Sequence, residues 1–150
     1  MTWITSIPYE DATGSLKRLY DRVKGPENNV DNIMLAHSLR PHTMEGHMTI
    51  YKYVLHHPRN QLPKWYLEAI GVYVSQLNRC DYCLDHHLAG MVRLLDDAER
   101  ADAVSAAFKV GDLSAGFNNK ELAGLEYVAK LTQRPTDLAE EDIERLRSAG

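Results

Sequence analysis

Apolar residues along this chain recur at intervals of three and four almost throughout, the period of a helix with one buried face. Leu16, Leu19, Tyr20 and Val23 mark a first amphipathic helix, ended near Gly25-Pro26. Ile33, Met34 and Leu35 predict a short second helix that stops before Pro41. Met44, Met48, Tyr51 and Leu55 define a third, ended by Pro58. A fourth starts with Pro63 at its first position and runs to about Asn78. It is apolar nearly all round, which predicts a helix at the centre of a bundle. The fifth runs from about Cys80 to Leu95, with Cys83, Leu84, His87, Leu88, Met91 and Leu94 on one face. Helices from Asp97 to Lys109 and from Asn119 to Thr132 follow, separated by a loop from Gly111 to Gly116. A last, charged helix from Asp137 to Arg147 turns Ile143 and Leu146 inward.

Two-residue alternation, the mark of a strand, is absent, and so are repeats, low-complexity tracts and linkers. The expectation is an all-α, single-domain bundle of about seven to eight helices over residues 1–150, a length that buries one core of ordinary size. The sequence stops at Ala149-Gly150, where a helix cap normally leads into another element. Either the protein ends there or a C-terminal helix is lacking.

Composition narrows the function classes. The net charge is −4 and no basic run is present, which argues against nucleic acid as a partner. Met1-Thr2-Trp3-Ile4-Thr5 has neither the basic start nor the apolar block of a secretory leader. No window reaches the ~18 apolar residues of a membrane span. A cytoplasmic location is therefore expected, where paired cysteines are more often catalytic or metal-binding than structural.

The chain has two cysteines, and they stand close together in Cys80-Asp81-Tyr82-Cys83. A disulfide closing so short a loop constrains little chain entropy, so stapling is a poor reason for the pair. At a helix start, by contrast, the dipole favours the thiolate, the reactive species. Glu68 lies upstream as the lone charged residue between Lys64 and Arg79, and His87 stands one turn after Cys83. With the turn between helices four and five at Asn78-Arg79, Glu68 lies ~15 Å back and His87 ~12 Å on, at 1.5 Å per residue. In an antiparallel pair these depths agree within a turn, so the two side chains can meet. Glu68 would then orient the imidazole, and His87 would take the thiol proton. The chemistry served is attack of a thiolate on a peroxide oxygen. A sulfenic acid forms and condenses with the second cysteine to a disulfide.

Glu68, Cys80, Cys83 and His87 also satisfy every interval of a known pattern: Glu, eleven residues, Cys-x-x-Cys, three residues, His. The chain thereby resembles the alkylhydroperoxidase D-like family, within the carboxymuconolactone decarboxylase superfamily. The stretch from Val74 to His87 looks like its peroxidase-related subgroup. Weaker similarity extends through Ile7-Pro8, Leu19-Tyr20, Asn32-Ile33 and Ser38-Leu39-Arg40-Pro41. The resemblance implies an all-helical fold, assembly into homo-oligomers (dimers, trimers or hexamers) and peroxide reduction through the cysteine pair. It further implies Cys83 as the peroxidatic residue, Cys80 as the resolving one, and recycling by a small thiol or a lipoylated partner protein. Tyr82 stands where the family prototype has a relay histidine. Members of the peroxidase-related subgroup usually carry a further C-terminal helix rich in Asn and aromatics, which this sequence lacks.

No cofactor and no metal are expected, because the redox centre is the Cys80–Cys83 pair itself. Three alternatives stay open. One is a disulfide oxidoreductase on the same fold. Another is a zinc site on Cys80, Cys83 and His87, with His86 or the His56-His57 pair as a further ligand. The last is a decarboxylase-like enzyme, although that branch characteristically lacks the cysteines. His86 points about 100° away from His87 and defaults to the surface or a pocket rim. His37, His42, His47, His56 and His57 show no partner pattern. Met44, Met48, Tyr51, Tyr66 and Tyr73 are assigned to the core.

Overall fold

The computed structural model describes residues 3–150. Met1 and Thr2, which open the segment weighed above as a leader, lie outside the described residues. Among the described residues there are eight α-helices and no strand. They are α1 (Gly14–Val23), α2 (Asn32–Leu35), α3 (Pro41–Leu55), α4 (Lys64–Leu77), α5 (Asp81–Leu95), α6 (Ala98–Val110), α7 (Asn119–Gln133) and α8 (Glu140–Ala149). Contacts along the chain group into two compact units, one ending at Pro58 and one spanning Arg59–Gly150.

The unit ending at Pro58 packs α1 against α3. Leu16, Leu19 and Tyr20 from α1 join Met34 and Met44 in its core. Segments distant in sequence are tied together by buried polar bonds. The Ile7 N–H donates to Ser38 Oγ at 2.9 Å, and the Tyr20 hydroxyl donates to the Ile7 carbonyl at 2.8 Å. Ser38 is buried, so its hydroxyl is held there by these partners and not by solvent. Pro41, read as the stop for the short second helix, occupies the first turn of α3, where its missing N–H costs nothing.

In the unit from Arg59 onward, α4 packs most extensively on α5 and also on α7. Its core gathers Tyr66, Ala69 and Val72 of α4, Met91 of α5, Val104 and Phe108 of α6, Phe117, and Leu125 of α7. The nearly all-round apolar character of α4 has this cause: it is covered from more than one side. Tyr66 and Tyr73 belong to the packing as read. Tyr66 is buried and donates to the Glu121 carbonyl at 2.6 Å, and Tyr73 lies against Phe108.

Local signals fix the ends of the helices. Asp97 caps α6 by accepting from the Arg100 N–H, and Gly111 ends it at φ 80°. Asn118 and Glu121 form a reciprocal capping box on α7. The largest boundary shift is in α8, which starts at Glu140 and not at Asp137. Pro135–Asp137 forms a separate 3-10 turn, and the Asp142 carboxylate accepts from the Ala139 N–H, fixing the helix start there. Pro63 sits just before α4 as its cap, extended at ψ 137°, and its carbonyl receives the Tyr66 and Leu67 N–H groups.

Candidate functional site

The hairpin of α4 and α5 builds the site. Its turn is three residues long. The Asn78 N–H closes α4 on the Val74 carbonyl, Arg79 reverses the chain at φ 54°, and the Cys80 N–H bonds the Ser75 carbonyl at 2.9 Å. Cys80 is thus the cap residue of α5, and its carbonyl accepts the Leu84 N–H. Cys83 follows in the first turn. The two are joined as a disulfide with Cα atoms 5.4 Å apart. Both residues are half-buried, so the disulfide lies within reach of solvent.

Across the hairpin, Glu68 of α4 meets His87 of α5, with Nδ1 2.7 Å from Oε2. The Glu68 side chain is only 4% exposed and that of His87 22%. A carboxylate in that setting accepts hydrogen bonds, so it selects the tautomer with the proton on Nδ1. The other ring nitrogen then carries the lone pair of a base. The helical repeat places this ring one turn beyond Cys83 on the same face.

Two glycines, not singled out from the sequence, make the meeting possible. A Cβ on Gly71 would sit 2.6 Å from His87 Nδ1, and one on Gly90 would sit 3.1 Å from the Glu68 carboxyl carbon. Each functional side chain therefore occupies the space left by a glycine on the opposite helix. Glu68 faces Gly90 and His87 faces Gly71, which is the register of an antiparallel pair. The available signal was a glycine inside each apolar helix, at a cost of ~1 kcal/mol relative to alanine. Each lies three residues beyond the functional residue on its own helix. Ser75, also buried, donates to the Gly71 carbonyl at 2.6 Å.

The remaining histidines divide clearly. His86 is exposed and its ring stacks on Tyr82, with centroids 6.2 Å apart and planes 25° apart. It also meets the His87 ring edge-on at 6.1 Å. His37 contacts Thr43 Oγ1 at 2.7 Å and packs near the His47 ring. Burial, and then the neighbouring His37, hold the His47 imidazole below its ordinary pKa. His56 and His57 rest on Tyr51 and Tyr53 respectively.

A helical hairpin that presents a half-exposed Cys-x-x-Cys disulfide beside a buried glutamate bonded to a histidine defines an all-α protein of the alkylhydroperoxidase D-like fold. The sequence model of the carboxymuconolactone decarboxylase family matches residues 41–130, which include all four site residues. The chain belongs to that family. No curated protein matches it. Among solved structures, it is similar to an alkylhydroperoxidase AhpD core, an uncharacterized peroxidase-related protein from Ralstonia eutropha JMP134. That likeness has a TM-score of 0.79 at 22% identity, over 98% of this chain and 75% of the other. It is also similar to an uncharacterized peroxidase-related protein from Silicibacter sp. TM1040. Here the TM-score is 0.73 at 25% identity, over 89% of this chain and 68% of the other.

Proposed function

We propose that the protein is a thiol-dependent peroxidase that reduces alkyl or hydrogen peroxide through Cys83 and Cys80. The observation that supports this most is the Glu68–His87 bond, buried on the carboxylate side and one helical turn from Cys83. In the reduced protein His87 takes the Cys83 proton, and the start of α5 stabilises the thiolate. The sulfur attacks the terminal peroxide oxygen and gives up two electrons as the O–O bond breaks. The leaving oxygen takes up the proton and departs as alcohol or water. Cys83 is left as a sulfenic acid, and the Cys80 thiol displaces its oxygen as water. The disulfide so formed is the linkage between the two residues here.

Regeneration needs two electrons from outside, from a small thiol or from a partner protein carrying a dithiol of the lipoyl type. A homo-oligomeric assembly accompanies this reading, supported by Ile50 and Tyr53, which α3 leaves 67% and 65% exposed. Reaction in the cytoplasm fits a cycle that depends on a reducing pool. No helix among the described residues is long and apolar enough to cross a membrane.

The test is stopped-flow oxidation of the reduced protein by one equivalent of tert-butyl hydroperoxide, with thiols followed by quenched mass spectrometry. Fast loss of both thiols with a Cys80–Cys83 disulfide as product is expected. Oxidation no faster than that of a free thiol would refute the peroxidase. Rapid exchange with a disulfide substrate would then mark a disulfide oxidoreductase.

A further inference from the structure

We propose that His86 is a second proton-carrying residue of this site, the general acid that protonates the oxygen leaving the peroxide. The inference rests on the peroxidase reading and adds a residue that the Glu–Cys–Cys–His pattern does not contain. Its basis is the geometry of the first two turns of α5.

On a helix, residues three and four positions apart are neighbours. His86 and His87 therefore both lie one turn beyond Cys83, at i+3 and i+4, splayed to either side of it. Helical side chains also lean back toward the N-terminus, so both rings incline toward the turn that holds the thiol. Their situations differ. His87 is turned inward, with one nitrogen committed to Glu68. His86 is turned outward and exposed, with its ring stacked on that of Tyr82, the residue immediately before Cys83. The two imidazoles remain in edge-to-face contact, with centroids 6.1 Å apart.

The two positions suit two tasks. Thiolate formation needs a base near the sulfur, held in one tautomer, and His87 is built for it. The peroxide approaches from solvent, so its far oxygen departs on the solvent side, where His86 stands. His86 as imidazolium gives its proton to the departing alkoxide. The proton taken from Cys83 by His87 then passes through water to His86 and restores it. One proton leaves the thiol and one reaches the product alcohol, so the step balances with no other acid. Tyr82 lies against the His86 ring and carries no proton itself.

The test separates proton delivery from every other role by varying the leaving group. Oxidation of reduced wild type, His86→Phe and His86→Gln is followed with tert-butyl hydroperoxide and with peracetic acid. The first expels an alkoxide, which needs a proton; the second expels a carboxylate, which does not. Phenylalanine keeps the ring contacts, and glutamine keeps a polar side chain without an acidic proton. Both variants are expected to lose roughly 100-fold in rate with the alkyl hydroperoxide and less than about twofold with the peracid. Equal loss with both oxidants, or no loss with either, while the wild type stays fast, overturns the role of His86 alone. A wild type no faster than a free thiol with both oxidants overturns the peroxidase reading and this inference with it.

Discussion

Replacing Gly71 with alanine adds one methyl group to α4, aimed at the imidazole that the site depends on. The added carbon would lie 2.6 Å from His87 Nδ1, 2.7 Å from Cγ and 2.8 Å from Cε1. Non-bonded carbon contacts settle at about 3.5–4.0 Å, so the ring must retreat by about 1 Å. That displacement stretches a 2.7 Å bond to Glu68 past the range of a hydrogen bond. Overpacking costs about 1–3 kcal/mol, weakening a buried carboxylate's bond costs about 1–3 more, and the better helix former returns about 1. The expected net loss is about 3 kcal/mol, with about 1 as the floor on these same terms. A reference is available in Gly46 of α3, where an added Cβ meets nothing within 4 Å. Gly46→Ala is expected to stabilise by about 0.5–1 kcal/mol. Urea unfolding at fixed protein concentration measures both, with the slope checked for constancy. The reduced Gly71→Ala protein is also expected to react with peroxide about 100-fold more slowly, the scale of lost acid–base assistance. A Gly71→Ala protein as stable and as reactive as wild type would refute the packing of His87 on Gly71.

Other substitutions divide the roles further. Cys83→Ser is expected to abolish peroxide turnover, whereas Cys80→Ser permits oxidation to a sulfenic acid and forms no intramolecular disulfide. Mass spectrometry after a peroxide pulse distinguishes the two, and full turnover by Cys83→Ser would reverse the assignment. Glu68→Gln is expected to slow thiol oxidation without unfolding the protein, and an unchanged rate constant would remove Glu68 from the relay. Burial holds the Tyr66 phenol protonated up to about 12, with Glu121 adding to the shift. The folded state therefore keeps this proton after the unfolded chain has lost it near pH 10. Tyr66 alone should thereby withdraw about 2–3 kcal/mol of stability as pH rises from 10 to 12. Tyr66→Phe should remove that share of the alkaline slope, and an identical profile in the variant would contradict the assignment.

The sequence by itself determined the helical class, most helix positions and the candidate chemistry. Helix periodicity is a local property: apolar spacing, Pro63 before α4 and Asn118 with Glu121 at α7 act through neighbouring residues. The turn at Asn78-Arg79 is local too, and it fixes which residues of α4 and α5 lie at equal depth. The juxtaposition of Glu68 and His87 was legible for that reason. The start of α8 was displaced by a turn that only the carboxylate of Asp142, reaching back to the Ala139 N–H, settles.

Tertiary structure decided what composition and spacing do not encode. Gly71 and Gly90 matter because of what stands opposite them, and an opposing side chain has no fixed offset along the chain. Likewise, Ser38 becomes a buried tie only once Ile7 and Tyr20 arrive from other segments. His86 shows a similar limit within a single helix. Helical spacing turned it about 100° from His87 and toward the surface. Its ring contacts with Tyr82 and His87, both on the same helix, depend on side-chain torsions that helical spacing does not set. Local periodicity thus sets which face a residue lies on, whereas the facing helix and the side-chain torsions set what it touches.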